Sequence, residues 1–118
     1  MDPEERNFAY LWDMRKAAQL IANFLQGITY ATFSSDEMRQ SAIERQLEII
    51  GEAARRITPK FQQAHPEIPW RGIIGLRNIL IHEYGEVKLD RVWLIASQRI
   101  PDLVGILDSL IPPIDDVA

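Results

Sequence analysis

The sequence predicts an all-α domain, a four-helix up-and-down bundle whose last helix is kinked or split. Three observations carry that expectation. Apolar residues recur at steps of three and four in long segments, the period of a helix with one buried face. No run alternates apolar with polar residues, and no Asn-Gly or Asp-Gly pair marks a hairpin. The chain has 118 residues, 47% apolar and 25% charged, enough for one compact core and too few for two. Residues 1–118 therefore read as a single domain, with no internal repeat, low-complexity tract or linker.

The first helix carries Leu11, Met14, Ala18, Ile21, Leu25 and Ile28 on one stripe. Ser34, followed three residues later by Glu37, has the spacing of a capping box and is expected to open the second helix. That helix bears Ile43, Leu47, Ile50, Ala54 and Ile57. Thr58-Pro59 ends it, because the residue before a proline is pushed out of helical geometry. Residues 59–69 contain three prolines and are expected to form a loop with at most one short turn. A third helix begins at Pro69 or Trp70 and runs to about Tyr84. Asp90 is placed to cap the fourth, whose stripe is Val92, Ala96, Ile100, Leu103, Leu107 and Leu110. Pro101 lies inside that stripe and must bend or divide it. The tail 112–118 is expected to fray.

Charge and composition exclude several classes. The chain has no cysteine, which removes disulfides, Cys-based metal sites and a thiol nucleophile. The opening MDPEERN is acidic, the reverse of a secretory leader. No apolar run approaches the ~20 residues of a membrane span. A cytoplasmic protein without membrane attachment is the expectation. The net charge of −4 argues against non-specific coating of duplex nucleic acid, but not against a local phosphate site, since a cleft can focus positive potential on an acidic protein.

The third helix raises the functional question. With Arg77 at zero and 100° per residue, Ile73, Ile74, Leu80, Ile81 and Tyr84 lie within about 60° of it. Arg71, Gly75, Asn78 and His82 form a separate stripe at about 100–160°. Apolar nearly all round, this helix is expected to be buried, in its own bundle or against a second chain. A buried Arg77 needs a carboxylate, and Glu48 and Glu52 are the candidates. On the plainest reading, Arg77 is then a structural ion pair and His82 a hydrogen-bonded core histidine.

Taken together, Arg77, Asn78 and His82 suggest more. A guanidinium fork neutralises phosphate oxygens as charge builds, and an imidazole moves a proton near neutral pH. Facing one groove, such a set cleaves a phosphodiester without a metal. RNA is the natural substrate, because its own 2′-hydroxyl can attack. Arg77 and His82 sit about 140° apart on an ideal helix, so the helix deforms or two chains pool residues across a two-fold axis. The homodimer is preferred, since it also accounts for the apolar circumference.

Arg77, His82 and Tyr84 in the pattern R-x-x-x-x-H-x-Y resemble the signature of the HEPN superfamily, specifically its HepT-like toxins. RQLEIIGEAARRI (45–57) is similar to that family's second core helix, and IPWRGIIGLRNILIHEYGEVKLDRVW (68–93) to its motif region. The resemblance implies a HEPN-like dimer, a metal-independent endoribonuclease that is the toxin of a two-gene system. Its partner would be a minimal nucleotidyltransferase antitoxin. By the same resemblance Arg77 and His82 are catalytic, Asn78 supports them, and Tyr84 receives AMP from the antitoxin. Adenylylation would set bulk and negative charge beside the phosphate site. The RNA, tRNA or mRNA, is not named by the residues, and no cofactor is implied.

Rival chemistries lack their residues. HEYGE has Glu86 where a zinc helix needs its second histidine, so no metal site is expected. GIIGLRN has neither a preceding strand nor the Gly-Lys-Ser/Thr ending of a phosphate loop, and Gly72 and Gly75 are read as points of close helix approach. No G-x-S-x-G nucleophile turn occurs. The alternative that stands is a non-catalytic helical binding partner of a nucleotidyltransferase. Trp12, Trp70 and Trp93 are read as packing residues. Arg55, Arg56 and Lys60 form a solvated helix end or guide RNA. Arg71, Lys88 and Arg91 are candidate RNA-phosphate contacts.

Overall fold

The structure, a computed structural model, describes residues 2–80 and 88–112. α1 spans Pro3–Leu25 and is opened by the Asp2 carboxylate, which accepts from the Glu5 amide at 2.9 Å. Pro3 at its first position needs no amide partner. Leu11, Met14, Ala17, Ala18 and Ile21 are buried. Gly27 reverses the chain with φ +71°, a conformation that a Cβ disfavours.

α2, Tyr30–Ser34, follows at once, capped by the Thr29 hydroxyl. Ser34 thus closes this short helix and does not open the next. The cap of α3, Glu37–Arg56, is Asp36, whose carboxylate accepts from the Arg39 amide at 3.0 Å. The expected box failed because Asp36 offers a charged acceptor one position before the first helical residue, where Ser34 has already been used. α3 buries Ile43, Leu47, Ile50, Gly51, Ala53 and Ala54 and ends with Arg55 and Arg56 in its last turn.

Residues 59–69 are not the expected loop. Thr58 caps a further helix, α4 at Pro59–Ala64, with Pro59 at its first position. Asn7 holds that junction: its amide nitrogen donates to the Thr58 hydroxyl and its carbonyl accepts from the Thr58 amide, both at 3.1 Å. Asn7 is the one buried polar residue among those described. Trp70 donates its indole N–H to the His65 carbonyl at 2.9 Å, pinning the end of the connection.

The third long helix is broken. α5, Trp70–Ile74, and α6, Leu76–Leu80, meet at Gly75, and both pack against α3. α7 begins at Leu89 and ends at Leu94; Lys88 stands at its cap position without a side-chain bond, and Asp90 falls in the first turn instead of capping it. A π turn, Ile95–Arg99, leads into α8 at Ile100–Leu110. The wide turn answers Pro101. The Ile100 amide bonds back to Ile95, one residue further than in an α-helix, and the proline then falls where its missing N–H is harmless. The last helix is divided where the sequence requires it.

α1 runs along α3 on one side and the π turn with α8 on the other, enclosing a core whose fully buried members include Phe33, Leu11, Met14, Ile21, Ile43, Leu47 and Leu107. The architecture is an all-helical bundle of the HEPN-like kind, with short helices set between its long ones. Among the described residues no helix is long and apolar enough to cross a membrane.

Glu44 on α3 is half-buried, and burial followed by repulsion from Glu48 raises its carboxyl above the usual range. The native state therefore favours the protonated form. The stability this proton gives is present below the ordinary carboxylate range and is lost as pH rises through the raised value. Glu44→Gln is expected to melt higher than the wild type at pH 7, with the gap closing toward pH 4 in thermal scans.

Candidate functional site

The glycine that lets helices meet closely is Gly51. A Cβ there would lie 3.0 Å from the Ile73 carbonyl oxygen and 3.7 Å from the Leu76 Cβ. Gly72 would meet nothing within 4 Å, and a Cβ on Gly75 would meet only carbonyls of its own segment, Arg71 at 3.1 Å and Gly72 at 3.7 Å. The close approach expected at those two residues belongs to α3 instead. Overpacking at such a contact costs roughly 1–3 kcal/mol, and the helix propensity of alanine returns about 1. Gly51→Ala is expected to lower stability by about 1 kcal/mol on balance, read as a drop in Tm.

This contact draws α5–α6 against α3 and leaves an open groove of about 660 Å³ between them and α1. Ile74, Arg77 and Asn78 line one wall and Tyr10 and Asp13 of α1 another. The floor is α3, with Arg45, Glu48, Glu52, Arg55 and Arg56 along the groove. Arg45, Glu48, Glu52 and Arg55 recur at steps of three and four, with Arg56 next to the last; they are the polar complement of the apolar stripe, and that spacing was a readable signal for this face. Tyr10, Asp13 and Arg45 are the polar groove residues that sequence reasoning passed over.

Arg77 is exposed, contrary to the buried ion pair expected for it. The helix wheel treated 70–84 as one regular helix, whereas the break at Gly75 turns Ile73, Leu76 and Leu80 inward and leaves Arg77 on the rim. The two proposed partners are engaged elsewhere. Glu48 faces Arg45 at 3.6 Å. Glu52 takes Arg55 on both its oxygens, at 2.9 and 3.1 Å, and Arg56 on one, at 3.2 and 3.3 Å. The Arg55 hydrogen bond, foremost, holds the Glu52 carboxyl below the usual carboxylate range. Glu52 and then the Tyr10 hydroxyl keep the Arg56 guanidinium above its ordinary value.

Asn78 is exposed beside Arg77, so two of the sequence-derived site residues share the groove. The other basic candidates lie apart. Arg71 is exposed on α5 and Lys88 precedes α7, neither lining this groove. Arg91 lines a second, more apolar groove of about 400 Å³ between α5–α6 and the last helix, together with Arg99 and Leu94. His82 and Tyr84 lie outside the described residues. Among the described residues no three histidine or acidic side chains are grouped to hold a metal ion.

The two tryptophans nearest the helical connections are packing residues. Trp70 is buried, and Trp93 packs tilted against Phe33 at 5.4 Å and edge-on against Tyr30 at 5.7 Å. Trp12 carries the Arg15 guanidinium 5.2 Å from its ring centre.

Residues 14–110 match the family model described as Ribonuclease HepT-like. The chain is 41% identical over 101 residues to a probable ribonuclease HepT of Thermococcus cleftensis, an alignment covering 86% of this chain and 92% of that one. It is 38% identical over 95 residues to a putative RNase of Methanocaldococcus jannaschii, covering 80% and 87%. A second putative RNase of that organism is 30% identical over 113 residues, covering 96% and 93%. No solved structure matches the chain.

Proposed function

The chain belongs to the HepT-like ribonuclease family, and on that premise we propose that it is a metal-independent endoribonuclease, the toxin of a toxin–antitoxin pair, acting as a homodimer in the cytoplasm. The observation that carries this reading is the pair Arg77 and Asn78, exposed side by side on a groove in a chain of net charge −4. Four guanidinium groups face three carboxylates there, a local surplus of one positive charge. Such a surplus draws a phosphate to this face of an acidic protein.

In the proposed reaction the RNA 2′-hydroxyl attacks the adjacent phosphorus, giving up its proton to a base. The bond from phosphorus to the 5′-oxygen breaks, and that oxygen takes a proton as it leaves. Arg77 neutralises the charge that builds on the non-bridging oxygens. His82, five residues on, is assigned the proton transfers, and Asn78 orients the phosphate by donating its amide. The products are a 2′,3′-cyclic phosphate and a 5′-hydroxyl. Regulation is assigned to Tyr84: its hydroxyl attacks the α-phosphorus of ATP on a minimal nucleotidyltransferase antitoxin, releasing pyrophosphate. The AMP ester places negative charge where RNA must bind.

Two measurements test this together. Purified protein is expected to cut tRNA or mRNA to cyclic-phosphate ends, undiminished by a chelator, with a rate that changes across the imidazole range near neutrality. Loss of cleavage on chelation overturns the metal-free reading. Incubation with the cognate nucleotidyltransferase and ATP is expected to add AMP, seen by intact mass. Retention of that gain in Tyr84→Phe overturns the modification site.

A further inference from the structure

Resting on the ribonuclease reading, we infer that the far end of the groove is a seat for unpaired RNA. A backbone phosphate docks between Arg55 and Arg56, a base lies against Tyr10, and Glu52 is a built-in competitor for that phosphate.

The geometry of the arginine pair carries the argument. Arg55 and Arg56 leave α3 on its last turn, converge on one carboxylate at 2.9–3.3 Å, and keep 61% and 59% of their side chains exposed. Two guanidinium groups closing on a pair of oxygens present the donor arrangement that a phosphate accepts. Glu52 is itself 41% exposed, so solvent reaches it and a phosphate can take its place. Such exposed ion pairs are weak. In the free protein the carboxylate therefore preorganises both forks without locking them.

Tyr10 supplies the second element. Its half-buried ring lines the groove from α1 together with Arg55 and Arg56, which sets the ring beside the phosphate seat. An aromatic ring beside guanidinium groups is how single-stranded nucleic acid is held, because every base has a face to stack. A base inside an A-form duplex cannot reach a ring on a groove wall. The substrate class is therefore RNA that is unpaired at and beside the cut, running from Arg77 and Asn78 toward the end of α3.

The test uses the full-length protein and a short single-stranded 2′-O-methyl oligoribonucleotide, which binds without being cut. Fluorescence anisotropy follows affinity across a salt series, and thermal melting confirms that each variant is folded. Tyr10→Ala and Tyr10→Leu are both expected to weaken binding about tenfold or more, by loss of one stacked base. Tyr10→Phe is expected to stay within about twofold. Arg55→Ala combined with Arg56→Ala is expected to flatten the slope of log affinity against log salt by about 0.7, the value for one phosphate on a single strand.

Glu52→Gln is expected to tighten binding several-fold, a gain that a purely structural role for the ion pair does not produce. Unchanged affinity in the Tyr10 and arginine variants overturns the inference, as does a duplex RNA that competes as well as the single strand. A change in sedimentation of the Tyr10 or arginine variants also overturns it, since a second copy of the chain would then cover the groove. Wild-type protein that shows the full binding pattern but cuts no RNA would keep the seat and sink the ribonuclease reading. Cutting with no binding pattern does the reverse.

Discussion

Arg77→Ala is expected to lower RNA cleavage by roughly 10²–10³-fold, the usual loss when one preorganised donor to a developing anion is removed. Its melting temperature is expected to move by no more than a few degrees. The second half of that statement follows from where the side chain stands. A buried, paired arginine would leave an uncompensated carboxylate behind and cost about 3–5 kcal/mol. Arg77 is instead exposed on the groove rim, while Glu48 and Glu52 are engaged by Arg45, Arg55 and Arg56. Substitutions at such positions usually stay within about 0.5 kcal/mol. Arg77→Lys keeps the charge and loses the planar fork, so it is expected to recover only part of the rate. Steady-state cleavage and differential scanning fluorimetry on the same preparations separate the two roles. A variant that loses its fold in step with its activity would return Arg77 to a structural part.

Phe33→Ala carries the largest expected effect on stability, a loss of about 3–5 kcal/mol. The ring is wholly buried and meets Trp93 at 5.4 Å and Tyr30 at 6.3 Å. It lies on α2, which packs on both α3 and α7, so its removal opens a cavity between elements distant in sequence. Against a total of about 5–15 kcal/mol the loss is severe. It should appear as a fall in Tm upwards of about 10 °C in a thermal melt. A drop of only a degree or two would mean that Tyr30 or Trp93 collapses into the space.

Phe33 also shows where the sequence was hard to read. The long helices announced themselves, because Leu11, Met14, Ala18 and Ile21 on α1 and Ile43, Leu47, Ile50, Ala54 and Ile57 along α3 all proved buried at helical spacing. A five-residue helix such as α2 is too short to display a period, and its single core residue sat in a stretch read as a cap. α4 was missed for the same reason, although Thr58 followed by Pro59 is a start signal as well as a stop signal.

At the site, the groove could be read only in halves. The polar stripe of α3 and the pair Arg77–Asn78 were both visible, but what joins them is the approach at Gly51. A lone glycine in the middle of a helix does not say which backbone it admits. The wheel drawn through Gly75 then misplaced Arg77, since an angle carried across a break accumulates error that no residue identity reveals.

The π turn at Ile95–Arg99 has a consequence for how this chain can change its length. Such a turn holds one residue more than a regular helix needs, and it lets Val92, Ala96 and Ile100, spaced four and four, stay on one side. Deleting a single residue there, together with Pro101→Ala, would let the segment wind as an ordinary helix and keep Leu103 and Leu107 facing inward. A deletion within α8 itself would rotate every later side chain by about 100° and turn the stripe to solvent. The wide turn is thus the one place in this helix where the gene can lose a codon and the core need not notice.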